Sequence, residues 1–150
     1  MKTRPRSLYL SVILFILLAV IFGYWGYFAI DTLIQLPSLT GDLPLKIISS
    51  LYWFYLIGTL IWIGNAGLSS ILAYGLFKRL NWAYTTALIF TTLVIAALTI
   101  MLIGFMVGLV KFQDMFSIIG IVTNIIALLI DLIIVFLITR LSMKLFFAKQ

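Results

Sequence analysis

Three stretches of the chain, residues 8–30, 47–77 and 80–110, carry no charged side chain, and a fourth, 115–139, carries only Asp131. A helix needs roughly 20 apolar residues to cross a hydrocarbon core about 30 Å thick. Each stretch meets that length. Spans at about 8–30, 48–77, 81–109 and 115–139 take up nearly all of the 150 residues and leave no room for a soluble domain. Charged residues make up 9% of the chain, against about 25% in a soluble domain. The expected fold is all-α: one integral membrane domain, residues 1–150, built as an up-down antiparallel bundle of four transmembrane helices.

Lys2, Arg4 and Arg6 precede the first apolar stretch, as in a signal peptide. That stretch is too long for a signal h-region, and "FGYWGYFAI" places bulky aromatics where a cleavage site needs small residues. An uncleaved signal anchor is expected. Orientation follows from the basic residues near the spans. Lys2, Arg4, Arg6, Lys78, Arg79, Arg140, Lys144 and Lys149 fall on one side; only Lys46 and Lys111 fall on the other, beside Asp31, Asp42 and Asp114. The more basic side should be cytoplasmic, which puts both termini in the cytoplasm of a cell-membrane protein. With the net charge of +6 spread over these short flanks, nucleic acid is not expected as a partner.

The turns "KRLN" (78–81) and "KFQD" (111–114) are short, so the second, third and fourth helices should be sequential neighbours. The external loop, 31–46, is longer. Its Pro37, Gly41 and Pro44 argue against a continuous helix, and it suits either a connector or a binding element. Aromatics cluster at the span ends, with Tyr24, Trp25 and Tyr27 closing the first and Tyr52, Trp53 and Tyr55 opening the second. An interfacial belt explains them, since such rings have apolar bodies and polar tips.

Membrane helices associate through small and hydrogen-bonding residues, because lipid offers no hydrophobic drive for packing. In the fourth span Ser117, Gly120, Asn124, Ala127 and Asp131 form one stripe. In the second, Gly58, Trp62, Asn65, Ser69 and Leu72 form another. Asp131 lies nine residues before Arg140 and Ser69 nine before Lys78, so an intramembrane polar seam of Asn65, Ser69, Asn124 and Asp131 is expected, with Thr91 or Thr92 near its level. Asp131 has no basic partner at its depth in its own chain. Three roles stay open for it: a neutral structural group bonded by Ser69 or Asn65, a contact to another subunit, or a titrating carboxylate in a proton- or cation-coupled transporter. Intramembrane acids are functional candidates by default. Gly104 and Gly108, with Thr92 and Ala96, form a ridge of small residues on the third span. Glycines four apart let backbones approach closely and can mark a dimer face, with packing against a helix of the same chain the favoured use of that ridge; the stripe with Gly120 and Ala127 should face protein.

Histidine, cysteine and glutamate are all absent. That removes Ser/His/Asp and Cys/His catalysis, thiolate or imidazole metal sites, and disulfides. Asp31, Asp42 and Asp114 belong to external segments and cannot pair with Asp131. No catalytic activity and no cofactor are expected.

Arg4-Pro5 before the first span and "YGLFKRLNWAY" (74–84) resemble a loosely defined group of small four-helix membrane proteins of bacteria and archaea. Members of that group often open with Arg-Pro and carry Gly-Leu-Trp-Lys followed by Trp-Ala-Trp at this turn. Gly75, Lys78, Trp82 and Ala83 match; Phe77 and Tyr84 stand where tryptophans occur. The longer external loop and Asp131 fall outside the pattern. The resemblance implies the four-helix topology, and the group's function is itself unassigned. From these features the expected role is a scaffold or accessory subunit of a larger membrane complex, or a homo-oligomer; a small coupled transporter using Asp131 is the alternative.

Overall fold

The computed structural model describes residues 5–40, 45–112, 115–140, 143, 146 and 147, with side chains at 5–35, 49, 52, 53, 56–103, 106, 118, 119, 121–140, 143, 146 and 147. Among the described residues the chain forms four helices: α1 (Arg6–Thr40), α2 (Leu45–Phe77), α3 (Asn81–Phe112) and α4 (Met115–Thr139). All four are long and apolar enough to cross a membrane, over Arg6–Gln35, Leu56–Phe77, Asn81–Ile103 and Ile121–Thr139.

α1 differs from the sequence expectation. It runs on through Asp31 to Thr40 and includes Pro37, so the first ten residues of the expected loop are helical. A proline removes its own N–H bond and its ring crowds the carbonyl four residues back, which weakens or kinks a helix without always ending it. Helical bonding also does not stop where the apolar stretch stops. Gly41 and Pro44 lie outside the described residues.

The end of α2 is closed by its backbone. The Leu80 N–H donates to the Gly75 carbonyl at 2.9 Å and the Arg79 N–H to the Leu76 carbonyl at 3.0 Å. Those two bonds define a Schellman cap, whose closing residue must adopt the left-handed conformation. Arg79 does so, with φ at 63°. Glycine is the usual occupant there because it has no Cβ to collide with the backbone.

The chain divides into two compact units, Met1–Phe15 with Leu72–Gln150, and Ile16–Ile71. In the first unit the buried positions repeat at helical spacing. Ala83, Ala87, Phe90, Thr91, Val94 and Leu98 form the inner stripe of α3, and Asn124, Ala127, Ile130, Asp131, Ile134 and Ile138 that of α4. Near the turn α2 and α3 approach closely: a Cβ placed on Gly75 would lie 2.6 Å from the Ala83 Cβ. The start of α3 is tied to the end of α4, where the Tyr84 hydroxyl donates to the Ile138 carbonyl at 3.3 Å. Tyr84 also stacks on Phe147, with ring centroids 5.1 Å apart.

In the second unit α1 and α2 meet at Gly26, where a Cβ would come within 2.9 Å of Ile63 Cγ1. Trp62 packs against Trp25 and Phe22, with centroids 6.2 and 5.6 Å away. These rings fill space beside a glycine, an arrangement that lets two backbones approach without a hydrophobic drive.

Outward positions are strongly apolar. Leu93 is 65% exposed and Ile100 71%, and Ile126, Leu129, Ile133 and Phe136 line the outer face of α4. In water such continuous patches would promote association. Against acyl chains they are solvated.

Candidate functional site

Asp131 sits on the buried stripe of α4 and is fully enclosed. Asn124, two turns earlier, and Ala127, one turn earlier, are buried beside it on the same stripe. Neither Asp131 carboxyl oxygen accepts a hydrogen bond among the described residues. A buried polar atom without a partner is destabilising by roughly 1–3 kcal/mol, and more when charged. The group is therefore maintained against a local energetic penalty.

The same unit holds two residues that sequence reasoning passed over. Ser7 and Ser11, four apart on α1, are both buried, and neither hydroxyl has a hydrogen-bond partner among the described residues. Hydroxyls in helices commonly return to the carbonyl one turn back. Thr92, Thr99, Thr123, Thr139 and Ser70 all do this, at 2.8–2.9 Å. Ser11 does not. Its helical spacing with Ser7 and Phe15 was the available signal, and it was hidden because serines near a helix start usually read as caps.

Thr91 and Thr92 separate clearly. Thr91 is buried, and its hydroxyl bonds the Ala87 and Leu88 carbonyls at 2.7 and 3.2 Å. Thr92 is exposed. Only Thr91 therefore belongs to the inner polar set. Asn65 and Ser69 belong to the second unit, where Ser69 is fully buried and Asn65 half-buried.

Of the ridge on α3, only Thr92 and Ala96 have described surroundings. Thr92 and Ala96 are exposed rather than packed inside the chain. Thr92 turns its hydroxyl back to the Leu88 carbonyl at 2.8 Å. Gly104 and Gly108 on α3 and Gly120 on α4 have surroundings outside the described residues. Gly58, Gly64 and Gly67 on α2 have open space where a side chain would project.

No family model matches the chain, and no curated protein or solved structure matches it. Function is therefore read from the residues themselves. Among the described residues no group of three or more acidic, histidine or cysteine side chains could hold a metal ion. The first unit also holds the Asp131 carboxyl group and the Ser7 and Ser11 hydroxyls, buried oxygens that have no hydrogen-bond partner among the described residues.

Proposed function

We propose that the chain is a non-catalytic, multi-pass component of the cell membrane that assembles laterally, as a scaffold or accessory subunit, with other membrane-protein subunits or with copies of itself. Its helices form an antiparallel bundle with both termini in the cytoplasm, the topology of the small four-helix group it resembles. Short turns at 78–81 and 111–114 support that arrangement, and so does the side bias of the basic residues. One observation carries the lateral role: the small-residue ridge of α3 faces outward at Thr92 and Ala96. Small residues on an outer face let a second helix approach closely, and van der Waals contact then replaces lipid.

Gentle extraction of the native protein followed by native electrophoresis tests the reading. A species larger than the monomer is expected, and Ala96→Trp should shrink it by obstructing the ridge. Migration as a monomer in every mild detergent would end the proposal.

A second reading is favoured by the unpartnered oxygens of Asp131. In it the protein is a small proton- or cation-coupled transporter working as an oligomer, with Asp131 as the titrating group. Asp131→Asn should then abolish coupled uptake into vesicles, and Asp131→Glu should retain part of it. Equal uptake by all three forms would remove this reading.

A further inference from the structure

The bond from the Tyr84 hydroxyl to the Ile138 carbonyl ties the start of α3 to the end of α4, and the two helices pack together. Seven residues on from Tyr84 along α3 is Thr91, and seven residues back from Ile138 along α4 is Asp131. Seven residues make almost two whole turns and about 10 Å of rise, so each step returns to the same face of its helix. In the antiparallel bundle proposed above, both steps lead the same way from the tie and end at one level. Both end points are fully buried, each on the inner stripe of its helix. Beyond them the buried positions continue in step, Val94 with Ala127 and Leu98 with Asn124. Thr91 is therefore the residue of α3 that stands opposite Asp131.

The two side chains divide their hydrogen bonds unequally. The Thr91 hydroxyl donates to the Ala87 carbonyl at 2.7 Å, with a longer approach to Leu88 at 3.2 Å. Neither oxygen of Asp131 has a hydrogen-bond partner among the described residues. An uncharged carboxyl tolerates that division; a carboxylate buried without a donor does not. A hydroxyl has one hydrogen to give. Withdrawing it from Ala87 orphans nothing, because that carbonyl also accepts the helical N–H from four residues on. Threonine in a helix populates two rotamers, so the hydroxyl has a second direction open to it. No buried position of α1, α2 or α3 in this unit carries a titratable side chain among the described residues. The nearest titratable group is Tyr84 on α3, seven residues from Thr91, and Arg140 on α4, nine from Asp131. No fixed charge at this level competes with the hydroxyl for the carboxylate.

We propose that Thr91 and Asp131 form a two-position proton switch. With the proton on Asp131, the Thr91 hydroxyl bonds its own helix, the arrangement seen in the structure. When the proton leaves to bulk water, the hydroxyl turns and donates to the carboxylate. When a proton returns from water, the hydroxyl turns back. No bond to threonine forms or breaks beyond that hydrogen bond, and the only charge that changes is the one on Asp131. The inference rests on the coupled-transporter reading and deepens it, because it names the group that steadies the charged form of the titrating residue.

Infrared spectroscopy of the full chain in detergent, during a pH titration, reads the proton directly. The carboxyl stretch that Asp131→Asn removes belongs to Asp131. Thr91→Val keeps the shape and loses the donor. Its Asp131 should hold the proton about tenfold more tightly than the wild type, the change expected when a charged group gives up one hydrogen bond. Thr91→Ser keeps the hydroxyl and should titrate as the wild type does. Thr92→Val removes an exposed hydroxyl one residue away and should also leave the titration unchanged. Proximity has its own test in this cysteine-free chain: Thr91→Cys combined with Asp131→Cys should be joined by oxidation or by a mercuric ion. Thr91→Val titrating with the wild type, or Ser11→Ala shifting the carboxyl as far as Thr91→Val does, would overturn the proposal. So would paired cysteines that neither reagent joins, or a wild-type carboxyl that never changes with pH. Uptake that does not depend on Asp131 would instead remove the transporter reading and leave the titration standing.

Discussion

Gly75 and Arg79, four residues apart at the end of α2, reverse the usual preferences of a helix terminus. The glycine is inside the helix, where alanine is ordinarily better by about 1 kcal/mol. The arginine occupies the left-handed cap. At Gly75 the reason is contact: an added methyl would lie 2.6 Å from the Ala83 Cβ, and neither atom ends a flexible side chain. Gly75→Ala should therefore lower stability by about 1–3 kcal/mol through overpacking. Gly64→Ala meets nothing within 4 Å and should leave stability unchanged or raise it by up to about 1 kcal/mol. Thermal melts of the two variants in one detergent check both signs together. At Arg79 strain and side-chain contact can be separated. The guanidinium lies over Phe146, its central carbon 5.2 Å from the ring centroid. Arg79→Gln retains the left-handed strain and loses the ring contact; Arg79→Gly loses the contact and relieves the strain. The glycine form should be the more stable of the two by about 1–2 kcal/mol. Equal melting would mean that a φ of 63° is not strained at this turn.

At the level of helices, charge-free stretches were a good guide to where helices exist and a poor one to where they end. α4 occupies Met115–Thr139, the stretch bounded by Asp114 and Arg140, because short turns leave little room for anything else. α1 passes ten residues beyond Ile30. Apolar composition reports the solvent around a helix, whereas helix ends are set by backbone bonding and capping. The stripe of Asn124, Ala127 and Asp131 was legible because a single helical period sorts small and polar residues from bulky aliphatic ones. Side-chain direction was not legible. Nothing in the sequence separates Thr91, turned inward, from its neighbour Thr92, and residue type argues against the left-handed Arg79. The tie between α3 and α4 was hidden for the same reason, because Tyr84 reads equally well as an interfacial anchor. Its two contacts can be divided by mutation. Tyr84→Phe removes the bond to the Ile138 carbonyl and keeps the stack on Phe147, so it should destabilise by about 0.5–1.5 kcal/mol. Tyr84→Ala removes both and should cost more, about 1.5–3 kcal/mol, less than truncating a fully buried ring because Tyr84 is only half-buried. Guanidinium or heat denaturation in mixed micelles would resolve the two steps, and equal losses would show that the stack contributes nothing.

Across the whole molecule, among the described residues, the outer faces are as apolar as the inside: Phe15, Phe22, Leu72 and Ile134 are buried together with a few small and polar residues, while large aliphatic side chains also cover the exposed faces. Asp131, Ser11 and Thr91 are enclosed, while Val20, Leu93 and Ile100 are exposed. A bilayer would solvate such a surface, and in the proposed membrane reading the distribution of basic residues would set its orientation. Because the chain contains no cysteine, that orientation can be read with single introduced thiols and no background. Gln35 is exposed near the end of the first candidate span, and Lys78 is exposed just after the second. If both termini are cytoplasmic, Gln35→Cys lies outside and Lys78→Cys inside. A membrane-impermeant maleimide applied to intact cells should therefore label the first and spare the second, and lysis should expose both. Removing Lys78 takes only one positive charge from the heavily basic side, so the bias that sets orientation survives the substitution. Labelling of Lys78→Cys alone in intact cells would invert the topology. Labelling of both before lysis would mean that the four helices do not seal either residue behind a bilayer, and the bundle would have to be re-drawn as a protein lying on the membrane surface.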